Sequence, residues 1–173
     1  STVAYLRAIG EAAGLRVHAI TSPHLVRFSE RIRIAGTLIT DAQLEDLTDR
    51  LEVANAGLPI SFFEITTVLA LQAFAETRAD LCLVEVGLGG RLDATNIVDP
   101  LLSVITDIAL DHQEYLGPTI TAIAREKAGI LRPGGVLVTL PQHPQANQAI
   151  GEVAMELGVR GVNAAQYLPG RDF

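Results

Sequence analysis

The 173-residue chain has the length of one ordinary domain, and its composition excludes several classes of protein. Apolar residues make up 49% of the chain and charged residues 19%, which argues against intrinsic disorder. The formal net charge of −7 argues against a general nucleic-acid-binding protein, because such proteins need a basic surface.

Short β-branched segments alternate with helical patterns along the chain. In chain order, the pattern predicts a helix at 2–13, strand 17–21, helices 40–55 and 61–77, strands 81–86 and 101–106, helix 119–131, strand 136–140 and helix 144–157. After residue 158 we expect one weak strand at most. This alternation predicts an α/β fold: a doubly wound, mostly parallel sheet with helices on both faces.

The single cysteine, Cys82, lies in an apolar segment and is predicted to be a small core residue. One cysteine cannot form an internal disulfide, which fits a reducing compartment. No apolar stretch reaches the length of a membrane span and no leader-like segment opens the chain. We therefore predict a cytoplasmic protein.

Polar residues follow the predicted strands, where ligands bind in parallel α/β sheets. The first strand leads into Thr21–Ser22–Pro23–His24, which suits metal or phosphate binding, although an ordinary turn is the stronger alternative on these residues alone. Residues 25–34 then predict a strand or a structured lid.

The second strand ends in Glu85, the position of the acidic residue that holds Mg²⁺ in many nucleotide-hydrolysing folds. The glycine-rich segment 87–93 follows, and the guanidinium group of Arg91 in it could bind a carboxylate or phosphate through two hydrogen bonds. His112 follows the third strand, beside two carboxylates, so the three strand ends could converge on one divalent ion. Imidazole is an unusual ligand for Mg²⁺, and a lone histidine is more often structural.

Lys127 is the only lysine among 13 basic residues. Its helical position favours an exposed surface residue. A chemical need for an amine, which arginine cannot supply, is the alternative.

Four segments carry a family resemblance: 21–32 with its TSPHLVRF and ERI motifs, 85–96, 111–112 and 126–129. They resemble the folylpolyglutamate/dihydrofolate synthases, which are Mur-ligase-like ATP-dependent amide ligases. The resemblance covers essentially the whole chain and implies a Mur-ligase-like, P-loop type of ATP-binding domain over residues 1–173. It also implies that the chain begins within the phosphate loop, with Ser1 matching the last residue of that loop, and lacks the C-terminal ligase domain, so that these residues alone would be inactive.

Carried over position by position, the resemblance implies roles for individual residues. Ser22, Glu85 and His112 would bind Mg²⁺, and a carbamylated Lys127 would help to hold a second ion. Glu85, His112 and Lys127 would form the catalytic group. The segments implied to contact dihydropteroate are Ser61, Phe62, Phe63 and Glu64, and then Arg91, Leu92, Asp93 and Ala94, with the phenylalanines stacking on the pterin or packing in the core.

The implied reaction joins L-glutamate to dihydropteroate or a reduced folate, with ATP and two Mg²⁺ ions, through an acyl phosphate, in a monomeric enzyme. Two alternatives stay open. Another Mur-type ligase, acting on a peptidoglycan precursor, should lack the lid sequence of residues 21–33. A non-catalytic folate- or nucleotide-binding module should lack the phosphate loop before Ser1.

Overall fold

The computed structural model describes residues 1–168, which divide into two compact units. The first unit is Ser1–Gly87, and the second begins at Leu88. Each unit contains helices and a sheet, so the predicted α/β class is confirmed. The assignment of the whole chain to one ATP-binding domain stays a prediction, and residues 169–173 lie outside the described part.

The first unit contains three helices and a four-stranded sheet. Its elements are α1 (Thr2–Ala12), β1 (Val17–Ile20), β2 (Ile32–Ile34), β3 (Thr37–Leu38), α2 (Asp41–Asn55), α3 (Phe62–Glu76) and β4 (Leu81–Val84). The strand order is β3-β2-β1-β4, with β1 parallel to β4 and antiparallel to β2. The segment after β1 that was predicted to be a strand or lid contains a short 3₁₀ helix, Phe28–Arg31, followed by β2.

Hydroxyl side chains cap the helices of the first unit. Thr40 precedes α2 and accepts from the N–H of Gln43, whose side chain accepts in turn from the N–H of Thr40; the two residues form a capping box. Ser61 and Glu64 form a second capping box at the start of α3. These bonds satisfy backbone donors that have no partner inside the helix.

Strand β1 is buried along its whole length because helices cover both of its faces. Val17 faces α1, where a Cβ added to Gly10 would lie 3.0 Å from its Cγ2. His18 points to the opposite face and stacks on Phe74 of α3, with the ring centroids 4.5 Å apart. The N–H of Ala35 donates to Nδ1 of His18, so the other ring nitrogen donates to the carbonyl of Thr77. This buried histidine is fully bonded and structural.

The prediction that Cys82 is a core residue is wrong. Cys82 is exposed on β4, although the strand is apolar in sequence. Within residues 1–168, β4 pairs with β1 alone and forms the outer strand of its sheet. An outer strand is covered less completely than a central one, so its apolar sequence does not guarantee burial.

Over residues 88–168, the second unit contains three α-helices and a three-stranded parallel sheet. Its elements are β5 (Ser103–Ile105), α4 (Gln113–Leu116), α5 (Ile120–Ala128), β6 (Val136–Thr139), α6 (Pro144–Glu156) and β7 (Arg160–Asn163), and the strand order is β5-β6-β7. Small residues let α5 and α6 pack closely over this core, among them the fully buried Ala124, Ala128 and Ala146. Strand β7 is the weak strand expected after residue 158. Across the described residues of both units, the helices are too short or too polar to span a bilayer.

Candidate active site

The carboxyl ends of β1 and β4 bring Ser22 and Glu85 together. The parallel register pairs Ile20 with Val84, so the residues that follow the two strands are neighbours. The N–H of Glu85 donates to the carbonyl of Ile20 at 3.1 Å, and the N–H of Ser22 donates to Oε2 of Glu85 at 3.1 Å. The structure thus places the predicted acid, Glu85, next to the backbone of Ser22, at the sheet edge where ligands bind in α/β folds.

The chemistry of this pair fits Mg²⁺. Both side chains offer hard oxygen atoms, and Glu85 is only half-buried. Among residues 1–168, no group of three or more His, Cys, Asp or Glu side chains is arranged to hold a metal ion. Mg²⁺ commonly takes one or two protein oxygens and completes its shell with water and phosphate oxygens, so two donors are a suitable partial set.

The loop after Ser22 is held in place by one carboxylate. Glu30 accepts hydrogen bonds from the backbone N–H groups of Leu25, Arg27 and Val26 at 2.8, 2.8 and 3.0 Å. These bonds hold the pKa of Glu30 below its usual value, with the bond from Leu25 as the main cause. The Ser22–Pro23 peptide bond in this loop is cis. The expected lid is therefore an ordered loop whose shape depends on Glu30.

The loop should loosen when Glu30 is protonated. Because its pKa is lower in the folded chain, the stabilisation is present above the unfolded value, about 4.5, and is lost as pH falls through the folded value. We expect the amides of Leu25, Val26 and Arg27 to be protected from hydrogen exchange at neutral pH and to lose protection selectively in this acid range. Glu30→Gln should abolish this pH dependence. Equal protection of the three amides above and below the transition would contradict the assignment.

The segment predicted to contact dihydropteroate begins α3. Ser61 accepts from the N–H of Glu64, and Oε2 of Glu64 accepts from the N–H of Ser61 at 2.7 Å. The hydroxyl of Ser61, and after it this N–H, lower the pKa of Glu64. The S-x-x-E spacing is the sequence signature of a capping box, so Ser61 and Glu64 have a structural role at the start of α3. Phe62 is 61% exposed, whereas Phe63 packs so closely on Gly87 that an added Cβ would lie 2.7 Å from its Cε1. Of the two phenylalanines, Phe62 has the larger surface for a ligand.

The glycine-rich segment in the second unit is folded around its own side chains. Asp93 accepts from the N–H of Leu88 at 2.8 Å and from the N–H and hydroxyl of Thr95. A Cβ on Gly90 would lie 2.7 Å from the carbonyl oxygen of Glu126. Gly90 therefore allows this segment to approach α5 closely.

Arg91 binds a carboxylate of the chain itself. Its Nε and Nη2 donate to Oε1 of Glu126 at 3.1 and 2.9 Å, and its backbone N–H donates to the carbonyl of Glu126 at 2.8 Å. Of its predicted ligand-contacting neighbours, Leu92 is exposed and Ala94 is half-buried. Substrate contact by this segment stays a prediction.

His112 and Lys127 also lie in the second unit, whereas Ser22 and Glu85 lie in the first. His112 precedes α4 in a left-handed conformation with φ of 50°, and its N–H donates to Oδ1 of Asp111 at 2.8 Å. Its side chain is exposed. Non-glycine residues rarely adopt the left-handed conformation, and those that do are concentrated at functional sites. Lys127 is half-buried on α5, so it is less exposed than its helical position alone predicts.

Ser1 lies immediately before α1 and its hydroxyl accepts from the N–H of Ala4 at 3.4 Å. Serine is a common cap at this position, and helix N-termini favour anions such as phosphate. The nucleotide contact of Ser1 is compatible with this position and stays a prediction.

Comparison with known proteins identifies a consistent set of relatives. The dihydrofolate synthase/folylpolyglutamate synthase of Escherichia coli K12 is 41% identical over 158 residues, and that of Bacillus subtilis 168 is 43% identical over 158 residues. The alignments cover 91% and 87% of this chain but 37% and 36% of the relatives. No family model matches the chain.

Solved structures give the same result. A structure titled E. coli FolC in complex with DHPP and ADP matches 92% of this chain with a TM-score of 0.86 and 41% identity, and covers 38% of that chain. A structure titled FPGS-AMPPCP-folate complex matches 93% with a TM-score of 0.86 and 38% identity, over 41% of that chain. The present chain therefore spans less than half of these proteins and is homologous over nearly all of its described length to one segment of them.

Proposed function

We propose that this chain, homologous to a segment of the folylpolyglutamate/dihydrofolate synthases, is the nucleotide- and metal-handling part of a ligase that joins L-glutamate to dihydropteroate or a reduced folate. The observation that carries the proposal is the contact between Ser22 and Glu85 at the carboxyl ends of two parallel strands. The named relatives, and the solved structures with ADP, AMPPCP, DHPP and folate, support the assignment of ATP and a folate as substrates.

The reaction would proceed in two steps. The carboxylate of the folate substrate attacks the γ-phosphorus of ATP, which forms an acyl phosphate and releases ADP. The amine of glutamate then attacks the acyl carbon, loses a proton and displaces phosphate, which leaves an amide. Mg²⁺ bound with the nucleotide would offset the charge on the transferring phosphoryl group.

The chain's own residues would position these reactants. Glu85 and the hydroxyl of Ser22 would hold the metal at the end of the sheet. The N–H of Ser22 holds one carboxylate oxygen, Oε2, of Glu85 in place. Rate enhancement would come from orientation and fixed charges, since the reaction needs no protein nucleophile. The family resemblance supports His112 as a further candidate metal ligand.

Lys127 would hold a second Mg²⁺ after carbamylation. The neutral amine adds to carbon dioxide and loses a proton, which converts a cation into a carboxylate-bearing group. Lys127 supports this role because it supplies the amine that the addition requires, which arginine cannot supply. The enzyme would act as a cytoplasmic monomer.

The assignment is tested with the full-length protein, Mg-ATP and labelled glutamate, offering dihydropteroate and tetrahydrofolate in separate reactions. We expect label to enter one or both folates with one ADP released for each amide formed. The accepted substrate decides between dihydrofolate synthase, folylpolyglutamate synthase and a bifunctional enzyme. Absence of incorporation with both folates would contradict the proposal and favour another Mur-type substrate.

Carbamylation of Lys127 is tested separately by carbon-13 NMR of the full-length protein in labelled bicarbonate. We expect one carbamate resonance that is absent from Lys127→Arg and from acid-treated protein, because arginine cannot form the adduct and acid releases carbon dioxide. Lys127→Arg should lose most activity despite keeping a positive charge. An active arginine variant would contradict the role.

A further inference from the structure

Arg31 is a buried arginine without a carboxylate partner among residues 1–168. It is 9% exposed, and its Nε donates to Nδ1 of His24 at 2.8 Å. Its guanidinium carbon lies over the ring of Phe62, 5.5 Å from the centroid. Burying a cation without an anion is costly, so such a residue needs another source of compensation. An imidazole nitrogen and the face of an aromatic ring provide it here.

Two aromatic rings, His24 and Phe62, contact this guanidinium group, and Phe28 contacts both of those rings; we call these four residues the Arg31 cluster. Phe28 meets Phe62 edge to face, with centroids 5.9 Å apart and an interplanar angle of 72°. His24 meets Phe28 in the same manner at 6.1 Å. The 21–31 loop is thereby connected to the first turn of α3, where Phe62 lies.

Phe62 is held on one side and remains largely open. Arg31 covers one face and Phe28 contacts the ring edge-on, yet 61% of the residue is exposed. A single exposed phenylalanine needs no explanation, since many occur on soluble proteins. An exposed ring that packs on a buried cation without a carboxylate partner is different. Burying that cation costs desolvation free energy, which packing of the ring alone would not require.

We propose that Arg31 is a positioning residue for the folate substrate, holding and polarising Phe62 as the surface on which the pterin ring stacks. This inference rests on the proposed function. A cation on one face of a π-system draws electron density toward it and leaves the other face more attractive to an electron-rich heteroaromatic ring. Phe62 contacts the substrate, and Arg31 acts through Phe62.

The first test uses Arg31→Met in the full-length enzyme, because methionine keeps an unbranched apolar stem and removes the charge. We expect KM for dihydropteroate to rise roughly fivefold, the equivalent of about 1 kcal/mol of cation–π interaction, with KM for ATP and kcat within about twofold of wild type. Arg31→Lys keeps a cation and should recover part of the loss. Arg50→Met is the matched control, since Arg50 is an exposed arginine of the same unit that pairs with Glu76; its KM values should be unchanged.

A double-mutant cycle with Phe62→Leu separates positioning from packing. Once the ring is absent, adding Arg31→Met should change KM for dihydropteroate by less than about twofold, because the two residues act as one unit. Should Arg31→Met fail to fold in a thermal melt, Arg31→Gln, which keeps a donor for His24, takes its place in the cycle.

The outcomes distinguish this inference from the function on which it rests. An active wild-type enzyme in which Arg31→Met leaves KM for dihydropteroate unchanged, or raises it equally with and without Phe62, would overturn the role of Arg31 alone. A wild-type protein that adds glutamate to neither folate would overturn both proposals.

Discussion

Replacing Glu85 by glutamine is expected to lower the rate of glutamate addition by roughly 100-fold or more. Glutamine has nearly the same shape and can still accept from the N–H of Ser22, but it lacks the charge that attracts Mg²⁺. A 100-fold loss corresponds to about 2.7 kcal/mol of transition-state stabilisation, within the range attributed to metal-assisted charge neutralisation. The measurement is labelled glutamate incorporation by the full-length protein over a Mg²⁺ titration.

The Mg²⁺ titration separates a metal ligand from a structural acid. We expect Glu85→Gln to raise the Mg²⁺ concentration that gives half-maximal activity. For Glu85→Asp, that concentration should lie between the values for the wild type and for Glu85→Gln. Glu45→Gln is the matched control, because Glu45 is an exposed carboxylate on α2 in the same unit, and it should behave as wild type. If Glu85→Gln kept wild-type activity and the same Mg²⁺ dependence, the proposed site at the ends of β1 and β4 would be wrong.

Gly129→Ala is expected to destabilise the protein by about 2–3 kcal/mol. Gly129 follows α5 with φ of −63°, a conformation that suits alanine, so the backbone itself carries no penalty. An added Cβ would, however, lie 2.6 Å from Cα of Arg91. The loop that contains Arg91 is attached to α5 by backbone bonding to Glu126 and cannot withdraw freely. Inserting a methyl group into such a contact forces a backbone shift, which accounts for the magnitude.

Gly151→Ala provides the control for that change. Gly151 lies in the middle of α6, and a Cβ added there would meet no atom within 4 Å. Alanine is favoured over glycine in a helix interior, so this variant should be about 0.5–1 kcal/mol more stable than wild type. Both variants are compared by denaturant unfolding with a common slope. Equal effects of the two substitutions would contradict the packing argument for Gly129.

Local chemistry is the part of this protein that can be predicted from sequence. The helices begin at Thr40, Ser61 and Thr119 because a hydroxyl side chain bonds a backbone N–H three residues later, a contact that depends only on near neighbours. The α/β class follows from alternating apolar strands and helices. The meeting of Ser22 and Glu85 could also be predicted, because parallel strands place their carboxyl ends at one edge of a sheet.

Contacts between distant segments could not be predicted, because they depend on register and packing. The guanidinium group of Arg91 can bind an anion, but only the folded chain shows that its partner is Glu126, 35 residues away. Cys82 is apolar in context, yet its exposure depends on β4 lying at the edge of its sheet. Arg31 is one arginine among many until the fold buries it between His24 and Phe62. The sequence by itself determined the elements and the residue types at the strand ends. Which charges are paired and which aromatic ring stays open was decided only by tertiary structure, since burial and long-range hydrogen bonding arise when the segments pack.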